Sequence, residues 1–366
     1  MQEPRIIISG GGTGGHVFPA IAIANELKAI NPKVKILFVG ANGRMEMEKV
    51  PEAGYEIIGL NISGLQRSLS LKNLSFPFKL LRSIMKSRAI IKHFKPQVAV
   101  GVGGYASGPL LYVASRKKIP CLIQEQNSFP GITNKLLAKR VSRICVAYDK
   151  MERFFPKDKL HFTGNPVRKE VIQLEGKRPR GFEHFDLDPS IPTVLVVGGS
   201  LGARSINQAI AGSLDQFVEA SVQLIWQTGK AYWEKGQEEA KAYSDKGIRA
   251  VQFIKKMDFA YAAADLIVSR AGAIAVSELA NIGKPVILVP SPNVAEDHQT
   301  KNALALVNHG AALMVKDIEV KETLWPKVSE VLGNSETQEQ LSIKIRGLAK
   351  NDAAHTIAQE VLSMIK

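Results

Sequence analysis

Ile6-Ile7-Ile8-Ser9-Gly10-Gly11-Gly12-Thr13-Gly14-Gly15-His16 is the stretch from which the rest of the chain is read. Three β-branched residues in a row predict a buried strand. Glycine then fills five of the six positions 10–15, so the backbone there lies open to a visitor. Pro19-Ala20-Ile21-Ala22-Ile23-Ala24-Asn25-Glu26-Leu27 reads as a helix with Pro19 in its first turn. Strand, glycine turn and helix start together predict an anion site, because backbone N–H groups and the positive dipole end face whatever lies over the turn.

The same grammar recurs. Val34–Gly40 is a second strand, which completes a βαβ unit and predicts a parallel sheet. Gly10, Gly12 and Gly15 satisfy G-x-G-x-x-G by spacing. The acid that would hold a dinucleotide ribose is missing from Gly40-Ala41-Asn42-Gly43-Arg44, and the first one comes at Glu46. Arg44 keeps an NADP-dependent oxidoreductase as a rival reading. Gln97–Val102 runs into a second glycine turn, Gly103-Gly104-Tyr105-Ala106-Ser107-Gly108-Pro109. Pro120–Ile123 is a strand ending in Gln124-Glu125-Gln126-Asn127-Ser128, and polar side chains at the carboxyl end of a parallel strand predict a site role for Glu125.

From Thr193 the pattern restarts, with Val194–Val197, then Gly198-Gly199-Ser200-Leu201-Gly202-Ala203, then a helix. No Lys-Ser/Thr pair closes this turn, so it is not a Walker loop. Further strands are expected at 222–226, 248–253, 264–270 and 285–290, with a helical segment around 232–243. Both halves are therefore α/β and doubly wound. Residues 173–192 show no period and read as a surface connection; Asp186 and Asp188 within it have D-x-D spacing but read as loop. The tail from Asp352 is helical, with Ile357, Val361, Leu362 and Ile365 on one stripe.

At 366 residues the chain has room for two cores. The net charge of +14 and a sequence pI of about 9.6 favour an anionic partner: nucleic acid, a membrane surface or phosphorylated substrates. Charge is the whole case for nucleic acid, since no aromatic–basic RNA motif is present, so no nucleic-acid partner is expected. Cys121 and Cys145 have no metal-type spacing and predict a reducing compartment. Met1-Gln2-Glu3-Pro4-Arg5 leads directly into the first strand, so no signal peptide is expected, and no apolar run approaches the roughly 20 residues of a membrane span. From Gln66 to Pro96 there is no acid. Leu71, Leu74, Phe76, Phe78, Leu80, Leu81, Ile84 and Met85 alternate with Arg67, Lys72, Lys79, Arg82, Lys86, Arg88 and Lys92. Such a stretch is either an interfacial amphipathic helix or a core helix with a solvated basic back.

Taken in order, Gly11–His16, Gly103–Pro109, Glu125-Gln126-Asn127, Gly164-Asn165-Pro166-Val167-Arg168, Gly198–Ala203 and Asp297-His298-Gln299 resemble the MurG enzymes. These are the UDP-N-acetylglucosamine–N-acetylmuramyl-(pentapeptide) pyrophosphoryl-undecaprenol N-acetylglucosaminyltransferases of bacterial wall synthesis. The resemblance implies a glycosyltransferase-B fold: two Rossmann-like domains facing across a cleft. Residues 1–164 with a C-terminal helix at about 345–366 would bind acceptor and membrane, and 165–344 the UDP-sugar. It implies inverting transfer of N-acetylglucosamine to the muramoyl 4-hydroxyl of lipid I, with neither metal nor cofactor, at the cytoplasmic side of a membrane.

Carried over by position, Arg168, Ser200 and the helix after Gly202 would hold the diphosphate, the Ile254 backbone uracil, and Glu278 the ribose. Asn127 and Gln299 would contact the donor sugar, and Thr13, Gly14 and Gly15 would lie at the donor–acceptor junction. Gly103, Gly104, Tyr105 and Asn134 would serve the acceptor. Inversion needs a base for the attacking hydroxyl. His16 is the first candidate, because the ordinary imidazole pKa of about 6.5 suits the task and the positive end of the helix dipole favours the neutral ring that a base requires; Glu125 is the second. Ala275 departs from relatives that carry a hydroxyl there. A transferase for diacylglycerol or another sugar would share the fold and much of the second half.

Overall fold

The computed structural model describes residues 3–63, 76–199, 201–294 and 297–365. The chain forms two compact units, one of residues 1–168 with 352–366, the other of 169–351.

In the first unit, β1 (Arg5–Ser9), β2 (Lys35–Ala41), β3 (Glu56–Leu60), β4 (Val98–Gly101), β5 (Cys121–Glu125), β6 (Arg143–Val146) and β7 (Leu160–Phe162) form a parallel sheet in the order β3-β2-β1-β4-β5-β6-β7. Successive residues of β1 serve opposite faces. Ile7 joins the core formed with the helices Phe76–Phe94 and Ser107–Arg116 through Ile90, Ile91, Leu110 and Leu111. Ile6 and Ile8 join a second core with Val17, Ile23 and Leu27 of the helix Gly14–Ile30. That second core also takes Ile357 and Val361 from the helix Ala353–Ser363, which therefore completes this sheet's cover. Both faces are buried, which is why β1 is a continuous apolar run rather than an alternating one.

In the second unit, β8 (Thr193–Val197), β9 (Gln223–Gln227), β10 (Ile248–Val251), β11 (Leu266–Ser269), β12 (Val286–Leu288) and β13 (Leu313–Met314) are parallel in the order β10-β9-β8-β11-β12-β13. Leu195, Ile225 and Ile267 pack to one side and Val194, Leu224 and Trp226 to the other.

Three expectations change. The first helix begins at Gly14, so Pro19 lies inside it rather than in its first turn. The missing amide of Pro19 leaves the Gly15 carbonyl without its intrahelical donor. Residues 178–185, read as part of a surface connection, form the helix Arg178–Phe185, because Phe182 and Phe185 enter the core. The terminal helix begins at Ala353 rather than near 345; Ile345 lies near the end of the preceding helix Ser335–Arg346, buried in the other unit. Asp186 and Asp188 are turn residues: Asp186 closes its helix at φ +50° and pairs with Arg249, and Asp188 accepts from Ser190.

Candidate active site

In a doubly wound sheet, the loops leaving the two strands where the order reverses splay apart and open a crevice at the carboxyl ends. In the first unit those strands are β1 and β4, and the loops are the two glycine turns. They meet backbone to backbone. A Cβ on Gly104, at φ +86°, would stand 2.4 Å from the Gly11 carbonyl oxygen, so only glycine permits the approach. Ser107 is buried with its hydroxyl within reach of the Ser9 and Gly103 carbonyls, 2.9 and 2.7 Å away, which ties the second turn to the end of β1.

His16 occupies the first turn of its helix, with its amide and that of Val17 both donating to the Thr13 carbonyl. Its Nδ1 lies 3.0 Å from the Gly11 carbonyl oxygen. A carbonyl can only accept, so Nδ1 carries the proton and Nε2 is the basic nitrogen. Gly103, at φ +97°, faces that nitrogen: a Cβ there would stand 2.8 Å from Nε2. Thr13 gives the helix no side-chain cap, so the Gly14 and Gly15 amides lead off the helix end. The Gly12 amide is engaged differently, donating to Glu46 over 2.8 Å. The acid beyond β2 thus lies beneath the glycine turn, not where a dinucleotide ribose would need it.

Glu125 ends β5 and is 2% exposed. Its Oε1 accepts from the Asn127 amide and side chain (3.0 and 3.3 Å), and its Oε2 from the Gly131 amide and Asn134 Nδ2 (3.1 and 2.8 Å). Four donors on one carboxylate organise residues 126–134 as a loop around it. Asn134 also donates to the Gln124 carbonyl, while its own Oδ1 is buried with no partner. Gln124, Gln126 and Asn165 form a buried amide network alongside, in which Gln126 reaches the Val102 carbonyl (2.8 Å) behind the second glycine turn. Tyr105 stands half-exposed beside that turn, and the Arg168 guanidinium lies 5.2 Å over the Phe18 ring.

The reversal in the second unit falls between β8 and β11. The glycine turn after β8 leads into the helix Arg204–Ala211, which has no side-chain cap; Ser200 falls outside the described residues. Gly202, at φ +83°, presses on the next loop, where a Cβ would stand 2.2 Å from the Thr228 carbonyl oxygen. Gln227 is buried and bridges two loops, donating to the Gly199 carbonyl (3.1 Å) and accepting the Ile254 amide (2.9 Å). Phe253, beside Ile254, is more than half exposed. Glu278 is buried on the helix Ala273–Ile282, and Gln299 accepts from the Ser291 amide (2.9 Å) at the start of the helix His298–Val307. Arg270, at the end of β11, joins Asp317, Ser205 and the Val289 and Pro290 carbonyls, fixing the loops around this end.

Among the described residues no three His, Cys, Asp or Glu side chains gather as a metal-binding group. None of the described helices is long and apolar enough to cross a membrane. The helix Phe76–Phe94 is two-sided. Ser83, Ser87, Ile90 and Ile91 face inward, while Phe78, Leu81 and Met85, spaced along the opposite stripe, are 71, 57 and 60% exposed. Leu71, Leu74, Arg67 and Lys72 lie outside the described residues. The helix Ser107–Arg116 packs against both this helix and Ile132–Leu137, whose Ile132 and Leu136 are also largely exposed.

Glu46, Gln227 and the Ile132/Leu136 pair escape a motif-based reading, and so does the pairing of Gln124 and Gln126 with Asn165, because these roles depend on what tertiary folding sets beside them. The one local clue to Glu46 is that Gly40, six residues earlier, has no apparent turn to make.

Two family models match the chain: the N-terminal domain of glycosyltransferase family 28 over residues 6–146 and its C-terminal domain over 193–357. The UDP-N-acetylglucosamine–N-acetylmuramyl-(pentapeptide) pyrophosphoryl-undecaprenol N-acetylglucosamine transferase of Phocaeicola vulgatus is 56% identical, covering 99% of this chain and 97% of the relative. The enzyme of the same name from Cytophaga hutchinsonii is 54% identical over 100% and 98%. The crystal structure of Acinetobacter baumannii MurG superposes with a TM-score of 0.79 at 28% identity, over 98% of this chain and 99% of that one.

Proposed function

The chain belongs to the MurG family of N-acetylglucosaminyltransferases, with the glycosyltransferase-B type of fold, and from that premise we propose how its residues carry out the transfer. The reaction moves N-acetylglucosamine from UDP to the 4-hydroxyl of the N-acetylmuramoyl sugar of lipid I, releasing UDP and forming lipid II with inversion at the anomeric carbon. The acceptor oxygen forms its bond to that carbon as the bond to the UDP oxygen breaks. The hydroxyl proton passes to a base, and the pair of electrons leaves on the diphosphate.

His16 is the base. The observation that carries this reading is the Nδ1–H bond to the Gly11 carbonyl, which leaves Nε2 as the unprotonated ring nitrogen, facing Gly103, where a Cβ would collide with it. Glu125 plays another part. Both its oxygens are engaged by the 126–134 loop, so it orients Asn127 and Asn134 rather than taking the proton. Gly103, Gly104 and Tyr105 receive the acceptor, and Thr13, Gly14 and Gly15 line the junction of the two sugars. In the second unit the glycine turn with Ser200 and the helix start after Gly202 takes the diphosphate, assisted by Arg168. The charge developing on the leaving group then meets backbone dipoles and a guanidinium. Glu278 accepts from the ribose hydroxyls, and the Gln299 side-chain amide contacts the donor sugar. The Ile254 carbonyl reads uracil, since its amide is engaged by Gln227.

The exposed stripe Phe78, Leu81 and Met85, with Lys79, Arg82 and Arg88 around it, rests on an anionic membrane surface on the cytoplasmic side, where a lipid-anchored acceptor is presented.

The test is transfer from labelled UDP-N-acetylglucosamine to a lipid I analogue, with wild type beside His16→Ala. Loss of about 10²–10⁴-fold in kcat at nearly unchanged KM for the UDP-sugar is expected for removal of a general base. Near-normal turnover in His16→Ala refutes its role, and failure of the wild type to glycosylate the analogue refutes the activity.

A further inference from the structure

We propose that Glu46 is a positioning residue for the transfer: its buried carboxylate holds the first glycine turn in the shape that fixes the His16 imidazole. The inference deepens the reading of His16 as the base and rests on it.

Glu46 begins the helix Glu46–Glu52 and is fully buried. Its Oε1 accepts the Ala41 amide at the end of β2 (2.9 Å), and its Oε2 accepts the Gly12 amide in the turn after β1 (2.8 Å). Among the described residues it has no lysine or arginine partner. Burying a lone carboxylate is unfavourable unless donors are held to both oxygens, and here both are backbone amides from two neighbouring strand ends. A neutral amide side chain has one acceptor oxygen and cannot satisfy both from opposite ends.

The space for the carboxylate comes from two glycines. A Cβ on Gly11 would stand 2.1 Å from Glu46 Oε1, and one on Gly40 would stand 2.5 Å from its Cγ. Gly11 is therefore the shared piece. Glu46 lies beneath it, Gly104 packs against its backbone, and its carbonyl takes the Nδ1–H of His16. The direction of that carbonyl decides which ring nitrogen carries the proton, and Glu46 fixes the direction from below through the adjacent Gly12 amide. The same geometry gives the G-x-G-x-x-G spacing of this half its meaning. The amide of its middle glycine is held by an internal anion, so that part of the turn presents a histidine instead of gripping a phosphate.

The test compares full-length wild type with Glu46→Gln and Glu46→Asp. Steady-state transfer is read with UDP-N-acetylglucosamine and a lipid I analogue, and the His16 ring nitrogens by ¹⁵N NMR of histidine-labelled protein, assigned by the resonances lost in His16→Gln. Glu46→Gln sets an amide NH₂ against one of the two backbone N–H groups. It is expected to lower kcat about 10–100-fold, the scale of a small misplacement of a reacting group, with KM for the UDP-sugar within about twofold. In the same variant the His16 signals are expected to move from the Nδ1–H tautomer toward a mixture.

Glu46→Asp keeps the charge and both acceptors one methylene short, and is expected to lie between the two; if Glu46→Gln does not fold, it carries the comparison. A folded variant whose His16 tautomer and kcat match wild type overturns the proposal. So does a kcat loss with the tautomer unchanged, which would make Glu46 a purely structural support. A normal His16→Ala enzyme would instead overturn the base assignment, so the two failures are told apart.

Discussion

Replacing Phe78, Leu81 and Met85 together by serine tests the proposed membrane face, and its size follows from exposure. Burying a large apolar side chain completely is worth about 1.5–3 kcal/mol. These three are already 71, 57 and 60% exposed, so a lipid surface has that share still to cover. That comes to about 1–2 kcal/mol each and about 3–5 kcal/mol for the three on full embedding. At about 1.4 kcal/mol per factor of ten, the partition coefficient should fall about 10²–10⁴-fold. Because these side chains point away from the core, folding should be nearly unaffected. The assay is sedimentation with vesicles of phosphatidylglycerol and phosphatidylcholine, with transfer to a short-chain soluble acceptor as the control for an intact site. Reversing Lys79, Arg82 and Arg88 is the electrostatic companion, worth about 1 kcal/mol per basic residue removed. Lys86 is best left alone, since its Nζ donates to the Gly59 carbonyl (2.7 Å) and so supports the fold. Unchanged partitioning of the triple serine variant would refute the reasoning outright, and the stripe would then be an ordinary solvated helix face.

Gly104→Ala adds a Cβ 2.4 Å from a backbone oxygen at a residue with φ +86°. It should destabilise the first unit by about 2–4 kcal/mol and lower activity by parting the two glycine turns; thermal unfolding reads this, and a change below about 0.5 kcal/mol would be inconsistent with the close approach. Burial pushes the Cys121 thiol up to about 12, and burial together with the Glu360 carboxylate does the same for Cys145. A raised thiol pKa means less thiolate at any lower pH, so at pH 8 about one thiol in 10⁴ is ionised in the folded protein. Neither should be alkylated by iodoacetamide at that pH until denaturant is added; rapid labelling of the native protein would contradict their burial.

Some of this protein was legible without coordinates, because it is written in local chemistry. Ile6-Ile7-Ile8, Val194–Val197 and the other apolar runs declare parallel strands, since a strand buried on both faces must be apolar throughout. The glycine turns declare close approaches, and the residues that fill them are the ones whose order carries the family resemblance. The short strands β6, β7 and β13 have no such signature, being two to four residues long and held by the neighbour they pair with. The helix Arg178–Phe185 is hidden behind proline, glycine and charge, and exists because Phe182 and Phe185 find a core to enter. The sequence alone thus determined the two parallel sheets and their glycine turns, and it placed His16 just after the first of them. Tertiary structure alone decided how those residues are held: which carbonyl selects the His16 tautomer, that Glu125 is held by four donors, and that Glu46 lies under Gly11. Hydrogen-bond direction and steric exclusion arise between segments far apart in the chain, and no local pattern encodes them.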